Sequence, residues 1–562
     1  MIASTTWRLR VAIALIGLLT AGCVSPGAID QSVVARYWRH LVNVGPQARQ
    51  SETDMGLLQP VPVEDAPKLR LRTIKAEDGK ERTILDLSLI DAIHLALSNN
   101  PEVRVAGYDP AISREDMVKA AAEFDYFITA SMSYEKVDKR RATALLPGGQ
   151  NREKVWSVGL KQKTITGADW SLAWTMTRAW DKPQFYNVQP RYEPTLAFEI
   201  TQPLLRDAWP EFNLADLKLA RVNYNISASA FRQKVEEVVT TVISAYWDYL
   251  RAREDRDIQQ RLLNETIDTR RKVATRAAEG LASTLQVDQI DASVASRQAS
   301  LSSAEKAVID ARDALAVRLA DAGINILSDY EIVPTTRLAD TRVVLDPKDQ
   351  LLTALRHNPL LEQARWAVES GAINVKVAEN QVLPKLDLTA TGSLQGLADH
   401  YHSSVEMLGN GDYASYSLGI SLEYPLGNRE RLADLRSARF LRFKAVATMQ
   451  NVADQIAAAV KERIRQLDTT FDQVRAYEEG VKAARSYRDK LEITVSQELG
   501  KAMTPERLQL LLGAQELVAN QERARLQALT DYNTAIIDLE RVKGTVLELN
   551  RVRVSLPAMG AE

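Results

Sequence analysis

The chain has 562 residues, of which 45% are hydrophobic and 26% charged, and its formal net charge is −2. This is the composition of a folded chain, and the near balance of charge argues against nucleic acid as its main partner. Cys23 is the single cysteine, so no disulfide can form within one chain.

The first 22 residues read as a secretory signal: Trp7-Arg8-Leu9-Arg10 form a basic start, 11–19 a short apolar stretch, and Thr20-Ala21-Gly22 a run of small residues. Cys23 at that junction resembles a bacterial lipobox, whose cysteine becomes a lipidated N-terminus. A plain cleaved signal with an incidental cysteine is the alternative. Val24 follows; in Gram-negative lipoproteins an aspartate there favours inner-membrane retention, so by resemblance valine favours the outer membrane. No other stretch offers about 18 consecutive apolar residues, so any further membrane crossing must use β-strands. Residues 23–86 form a leader, with a short amphipathic helix expected over 32–44 and extended linker at 59–63 and 65–67.

The spacing predicts a Ser-capped helix over 88–97, stopped at Asn99-Asn100-Pro101. A second helix runs from Pro101 to about residue 123, and strand character begins at Tyr126. Residues 154–163 alternate, with Trp156, Val158, Leu160 and Gln162 on one face and Val155, Ser157, Gly159 and Lys161 on the other. A tight turn is expected at 166–168, a strand at 169–180, a loop at 181–194 and a strand at 195–202, ending at Pro203. Trp156, Trp170, Trp174 and Trp180 fall in this short section. Such clustering fits the aromatic girdles of a membrane barrel, and equally a soluble sheet with an aromatic core. A long helical run then covers 213–322, broken at Gly280-Leu281-Ala282-Ser283. Its apolar residues Val235, Val238, Val242, Ala245 and Tyr249 keep a coiled-coil rhythm. Tyr246 and Trp247 read as core residues of that coil.

The second half restates the first. A helix over 346–357 ends at Asn358-Pro359, another reaches about residue 382, a strand covers 384–393, a loop 396–412 and a strand 415–424. A second long run, 431–552, breaks near Gly500 and carries Met449, Val452, Ile456, Val460, Ile464 and Leu467 in the same rhythm. Pro101 to Pro203 spans 102 positions against 66 from Pro359 to Pro425, whereas Pro203 to Gly280 and Pro425 to Gly500 span 77 and 75. The surplus of about 36 residues therefore lies wholly in the first half's strand section and matches one extra β-hairpin at roughly 155–180.

In this order and duplicated, Ala96-Leu97 with Asn100-Pro101, Ala354-Leu355 with Asn358-Pro359, Gln202-Pro203-Leu204-Leu205, 245–250 (AYWDYL) and Glu279-Gly280-Leu281-Ala282-Ser283 resemble the TolC family of outer-membrane efflux proteins. The resemblance covers about 87–549 and divides the chain into a first repeat, 87–345, a second, 346–552, and a tail, 553–562. It implies a mainly α fold with a membrane β-barrel section. Duplicated helix-strand-strand-helix halves and long coiled-coil hairpins would form a trimeric α-barrel/β-barrel duct. Four strands from each of three chains would make a twelve-stranded barrel in the outer membrane, with the helices reaching into the periplasm. The implied partners are two further copies, a periplasmic adaptor (membrane fusion protein), an inner-membrane pump and outer-membrane lipid. The extra hairpin would either add two strands per protomer or fold outside the membrane as a cap.

The resemblance implies adaptor docking at the hairpin tips, here Gly280, Leu281, Ala282 and Ser283 and Gly500, Lys501, Ala502 and Met503. In some members aspartates past the second tip narrow the entrance; the matching positions here are Glu506 and Gln509. Asp288 and Asp291 on the first returning helix are alternative pore acids, and an ordinary solvated helix face is the competing reading for all four. The sequence shows no phosphate-binding glycine loop and no catalytic cluster, and His400 and His402 lack a third metal ligand, so we expect no enzyme, cofactor or metal. The expected function is a passive exit channel of a tripartite efflux or type I secretion system. The alternative is a non-conducting, lipid-anchored periplasmic coiled-coil adaptor or scaffold.

Overall fold

The computed structural model describes residues 59–62, 70–75, 81–139, 150–182, 188–320, 330–497 and 504–555. The predicted signal, Cys23, the expected helix over 32–44 and the tip residues Gly500, Lys501, Ala502 and Met503 lie outside the described residues.

Three short strands come first, β1 (Gln59–Pro62), β2 (Arg70–Lys75) and β3 (Glu81–Leu87). Helix α1 (Leu89–Asn99) starts where the Ser88 hydroxyl accepts from the Asp91 amide at 3.1 Å. Asn100 then closes α1 and caps α2 (Pro101–Ala121), accepting from the Glu102 amide at 2.8 Å. Proline at the first helical position lacks only a donor that would have no intrahelical partner. Strands β4 (Phe127–Asp138), β5 (Gln150–Lys163), β6 (Asp169–Lys182) and β7 (Arg191–Pro203) follow. After α3 (Pro210–Asn213) come α4 (Ala215–Ala278), α5 (Thr284–Leu319) and β8 (Tyr330–Pro334). Helices α6 (Pro347–His357) and α7 (Pro359–Val382) repeat the Asn-Pro junction: Asn358 accepts from the Leu360 amide at 2.9 Å and donates to the Val542 carbonyl at 2.8 Å. The chain ends with β9 (Lys385–Gln395), α8 (Tyr401–Asn410), β10 (Tyr413–Glu423), α9 (Arg429–Gln497), α10 (Pro505–Lys543), α11 (Val546–Leu549) and β11 (Val552–Ser555).

The 64 residues of α4 and 69 of α9 make each about 100 Å long at about 1.5 Å per residue. The coiled-coil rhythm read from the sequence is the buried seam: Val235, Val238, Val242, Ala245 and Tyr249 are buried, as are Ile456, Val460 and Leu467 in the other arm. Tyr246 and Trp247 meet edge to face at 5.2 Å. The Tyr246 hydroxyl donates to the Leu87 carbonyl at 3.0 Å and that of Tyr249 to Ile332 at 2.7 Å. Each phenol buries its ring in the core while its hydroxyl finds a partner. These bonds tie α4 to a three-stranded sheet of order β2-β3-β8, in which β3 and β8 run parallel.

The larger sheet has six antiparallel strands in the order β10-β9-β7-β6-β5-β4. This is two more than the four per chain that the family resemblance implies. The surplus hairpin is β5–β6, and it continues the same sheet. Three other expectations change. The second long run ends at Lys543, not residue 552, because Gly544 turns left-handed at φ +75°. A Cβ there would also stand 2.4 Å from the His357 carbonyl oxygen. The expected loop at 396–412 contains α8, whose first turn carries Tyr401 and His402 and whose N-cap is His400. Strand β7 begins at Arg191, so Pro194 lies inside it; its missing N–H falls just past the last β9 pair, Thr195 with Gln395.

Candidate functional site

Two regions carry the features that a duct would need: the free ends of the long hairpins, and the faces of the six-stranded sheet. At the first hairpin end, α4 closes at Glu279 and Gly280 takes φ +75° with nothing near its Cβ position. The Gly280 amide donates to Ala277 at 3.1 Å and the Leu281 amide to Arg276 at 2.8 Å, the two bonds of a Schellman stop. Ser283 then starts α5, its amide donating to Gln286 Oε1 at 2.7 Å in a capping box. The reversal is packed on a small apolar cluster in which Val273 and Ile290 meet Leu508 and Leu512 of α10. The two hairpins are thus joined at this end. Pro505 opens α10, with Thr504 as its cap.

The four candidate pore residues do not converge on one another. Asp291 is paired with Arg270 across the first hairpin, and the guanidinium hydrogen bond holds its carboxyl below the usual range. Asp288, Glu506 and Gln509 are exposed. One heptad inward lies a layer that the sequence reading missed. Arg297 is buried, and it donates to Thr266 Oγ1, to Gln515 Oε1 at 3.2 Å and to the Leu512 carbonyl at 2.9 Å. Gln515 in turn donates to Thr269 at 3.1 Å. The signal was present: Arg297 stands seven residues past Ile290, Gln515 seven past Leu508, and Thr266 seven before Val273. A polar layer directly beside an apolar one, on the same seam, is the coiled-coil device that fixes register.

Further along, Glu522 of α10 joins three helices, accepting from Arg261 of α4 and Arg485 of α9, each at 3.1 Å. Burial would raise its carboxyl, but the two guanidinium hydrogen bonds outweigh it and hold the pKa below the usual range. Arg488–Glu265 and Lys272–Glu492, both at 3.1 Å, add further α9–α4 ties. Exposed pairs of this kind contribute about 0–1 kcal/mol each, so they align the arms more than they stabilise them.

The sheet has two chemically distinct faces. One cross-strand row reads Tyr416, Gly392, Phe198, Leu172, Leu160 and Ile128, and the next on that face Ala414, Leu394, Leu196, Trp174, Val158 and Ala130. The alternate row on the opposite face reads Ser415, Ser393, Ala197, Ala173, Gly159 and Thr129. Large apolar side chains on that first face are openly exposed, among them Tyr416, Leu418, Ile420 and Ile128. On β6 the apolar face ends, near the helices, at Trp170, which donates to Gln162 at 3.1 Å and meets Tyr126 edge-on at 6.3 Å. Among the described residues no helix is long and apolar enough to cross a membrane, and no cluster of His, Cys, Asp or Glu could hold a metal ion.

Long paired helical hairpins thus join a sheet with one apolar face. Residues 351–545 match the family model for outer membrane efflux proteins. Alkaline protease secretion protein AprF of Pseudomonas aeruginosa is 24% identical over 416 residues, 71% of this chain and 74% of its own. The fold is shared with the open-state MtrE outer membrane channel of Neisseria gonorrhoeae (TM-score 0.59, 15% identity, 87% of this chain and 95% of that one). It is shared equally with the outer membrane protein VceC of Vibrio cholerae (TM-score 0.58, 20% identity, 81% and 96%). By these matches the chain is similar to outer membrane efflux proteins, the family of TolC.

Proposed function

We propose that three copies of this chain form a passive exit channel through the outer membrane, fed by an inner-membrane pump through a periplasmic adaptor. The observation that carries this reading is the two-faced sheet. An open six-stranded sheet leaves the edges of β4 and β10 unpaired, which is untenable in lipid; closure against other copies removes both edges. With six strands per chain, three chains give eighteen, inside the even-numbered range of known outer-membrane barrels. The apolar face would meet lipid, and the small and hydroxyl-bearing face would line water. Repeats 87–345 and 346–552 would each supply one arm pair of the periplasmic tube. The name of AprF, a secretion protein, supports protein export as one cargo class, alongside efflux of small molecules.

The tips around Gly280 and 500–503 would dock the adaptor, which opens the tube by binding its open form better than its closed form. With the charge of Asp291 committed to Arg270, Asp288 and Glu506 are the acids we assign to any constriction, and Gln509 adds no charge. Purified trimer in planar bilayers should give discrete conductance steps. A trimer that never conducts, even with its tips mutated, would overturn the channel in favour of a scaffold.

Cys23 would carry a lipid anchor. Cys23→Ser should abolish fatty-acid labelling of the mature protein; a mutant that still labels would rule out that anchor.

A further inference from the structure

The apolar face of the sheet ends differently at its two limits. Near the helices the boundary is neutral, built from Trp170, Gln162 and Tyr126. At the far limit it is cationic. One cross-strand row there reads Tyr134, Lys154, Arg178 and Tyr192, and the next row outward pairs Arg152 with Trp180. Each cation lies over a ring: Lys154 over Tyr134 at 5.6 Å, Arg178 over Tyr192 at 5.4 Å, and Arg152 over Trp180 at 5.5 Å. The three cations, Tyr134 and Trp180 line an open groove of about 600 Å³.

Two facts single this row out. Lys154 and Arg178 stand directly opposite each other, an arrangement that repels. Among the described residues none of Arg152, Lys154 or Arg178 has a carboxylate within ion-pair distance, whereas three cations elsewhere on the sheet do: Lys163 with Glu123 at 2.6 Å, Arg191 with Asp181 at 2.7 Å, Lys385 with Asp387 at 3.4 Å. The repulsion is therefore left for an external anion to offset. The position identifies that anion's depth. From the Trp170 row to the Arg178 row is eight residues of β6, about 27 Å at roughly 3.4 Å per residue. At the roughly 35–45° tilt of such strands that is about 20 Å of height, close to the apolar band of about 25 Å in outer-membrane barrels. The cations thus sit at headgroup level, on the side of the band away from the helices.

We propose that this groove binds the phosphorylated headgroup of an anionic glycolipid, of the lipid A class, in the outer leaflet. Lys154 and Arg178 would share its phosphate oxygens, Arg152 would reach a second phosphate, and the rings would lie against sugar faces at the interface. The proposal rests on the reading of the sheet as a barrel wall with the helices on the periplasmic side.

The full-length trimer would be placed in nanodiscs containing bisphosphorylated lipid A, dephosphorylated lipid A or phosphatidylglycerol, and the lipid retained after detergent extraction measured by native mass spectrometry. The parent should retain bisphosphorylated lipid A and shed the other two. Lys154→Gln with Arg178→Gln should lower that retention about tenfold or more. The charge-preserving exchange Lys154→Arg with Arg178→Lys should keep it, which separates loss of charge from loss of fold. Undiminished retention by the Gln pair, or equal retention of phosphatidylglycerol by the parent, would overturn the site. If the parent trimer gives no channels in bilayers, the barrel reading fails instead; channels with unaltered lipid retention in the Gln pair sink this proposal alone.

Discussion

Replacing Arg297 with leucine should destabilise the detergent-solubilised protein by about 2–4 kcal/mol, read as a loss of helical signal at lower temperature or denaturant. Arg297 is buried between α5, α4 and α10, and its guanidinium is the donor for Thr266, Gln515 and the Leu512 carbonyl. Leucine fills the space but donates nothing. Thr266 still donates to the Leu262 carbonyl at 2.6 Å and Gln515 to Thr269 at 3.1 Å, so the orphaned atom is chiefly Gln515 Oε1. An unsatisfied buried acceptor costs about 1–3 kcal/mol, and the lost charge-assisted bonds add to it. Burial lowers the pKa of Arg297, yet the carboxylates of Glu516 and Glu265 act in the opposite sense, and their attraction is lost as well. Gln515→Leu added to Arg297→Leu should recover part of the loss, because partners removed together leave no orphan. Equal stability of the single variant and the parent would show that the layer contributes no net stability. The layer also fixes how the first hairpin sits on the second near the tips. In bilayers the Arg297 variant should therefore open more often than the parent.

Much of this architecture was legible in the sequence because it is written locally. Ser88, Asn100 and Asn358 announce their helix starts through side chains that reach amides two or three residues on. The seam from Val235 to Tyr249 is a repeat that any straight helix must bury on one side. Alternation in 154–163 assigned Trp156 and Ser157 to opposite faces before any strand partner was known. What failed to show depends on distant pairing or on exception. The β2-β3-β8 sheet joins residues about 250 positions apart, as in the pair Leu85 with Ile332, and no local period encodes that. Helix α8 has a polar sequence in a stretch read as loop, and only the left-handed Gly411 marks its end. In the sequence Arg297 is one more charge on a long helix, and its heptad offset from Ile290 is the one clue to its burial. Asp291 was read as a pore acid because its partner Arg270 lies on the other arm of the hairpin, 21 residues away.

The second large effect is a pH dependence centred on Glu236. This residue faces inward from α4, 2% exposed, where α4 meets the end of α10 and α11. Burial pushes its carboxyl up to about 7, and the nearby Glu548 adds to the rise. Arg232, at 3.2 Å, and Arg541 oppose the shift without cancelling it. Arg232 is itself shared, donating to the Gly544 carbonyl at 2.7 Å. A carboxyl whose folded value lies above its unfolded value of 4.5 binds more protons when folded. Its stability contribution is therefore fully present below about pH 4.5 and lost as pH rises to about 7, where the folded state must hold a buried anion. The difference of about 2.5 pH units corresponds to about 3 kcal/mol. Glu236→Gln keeps the neutral form at every pH. Its stability should lie within about 1 kcal/mol of the parent near pH 5 and exceed it by up to about 3 kcal/mol near pH 8. The difference between the two proteins isolates Glu236 from the other titrating groups, because these are common to both. Parallel stability curves over that range would mean that Arg232 and Arg541 neutralise the site and that the anion is held there without cost.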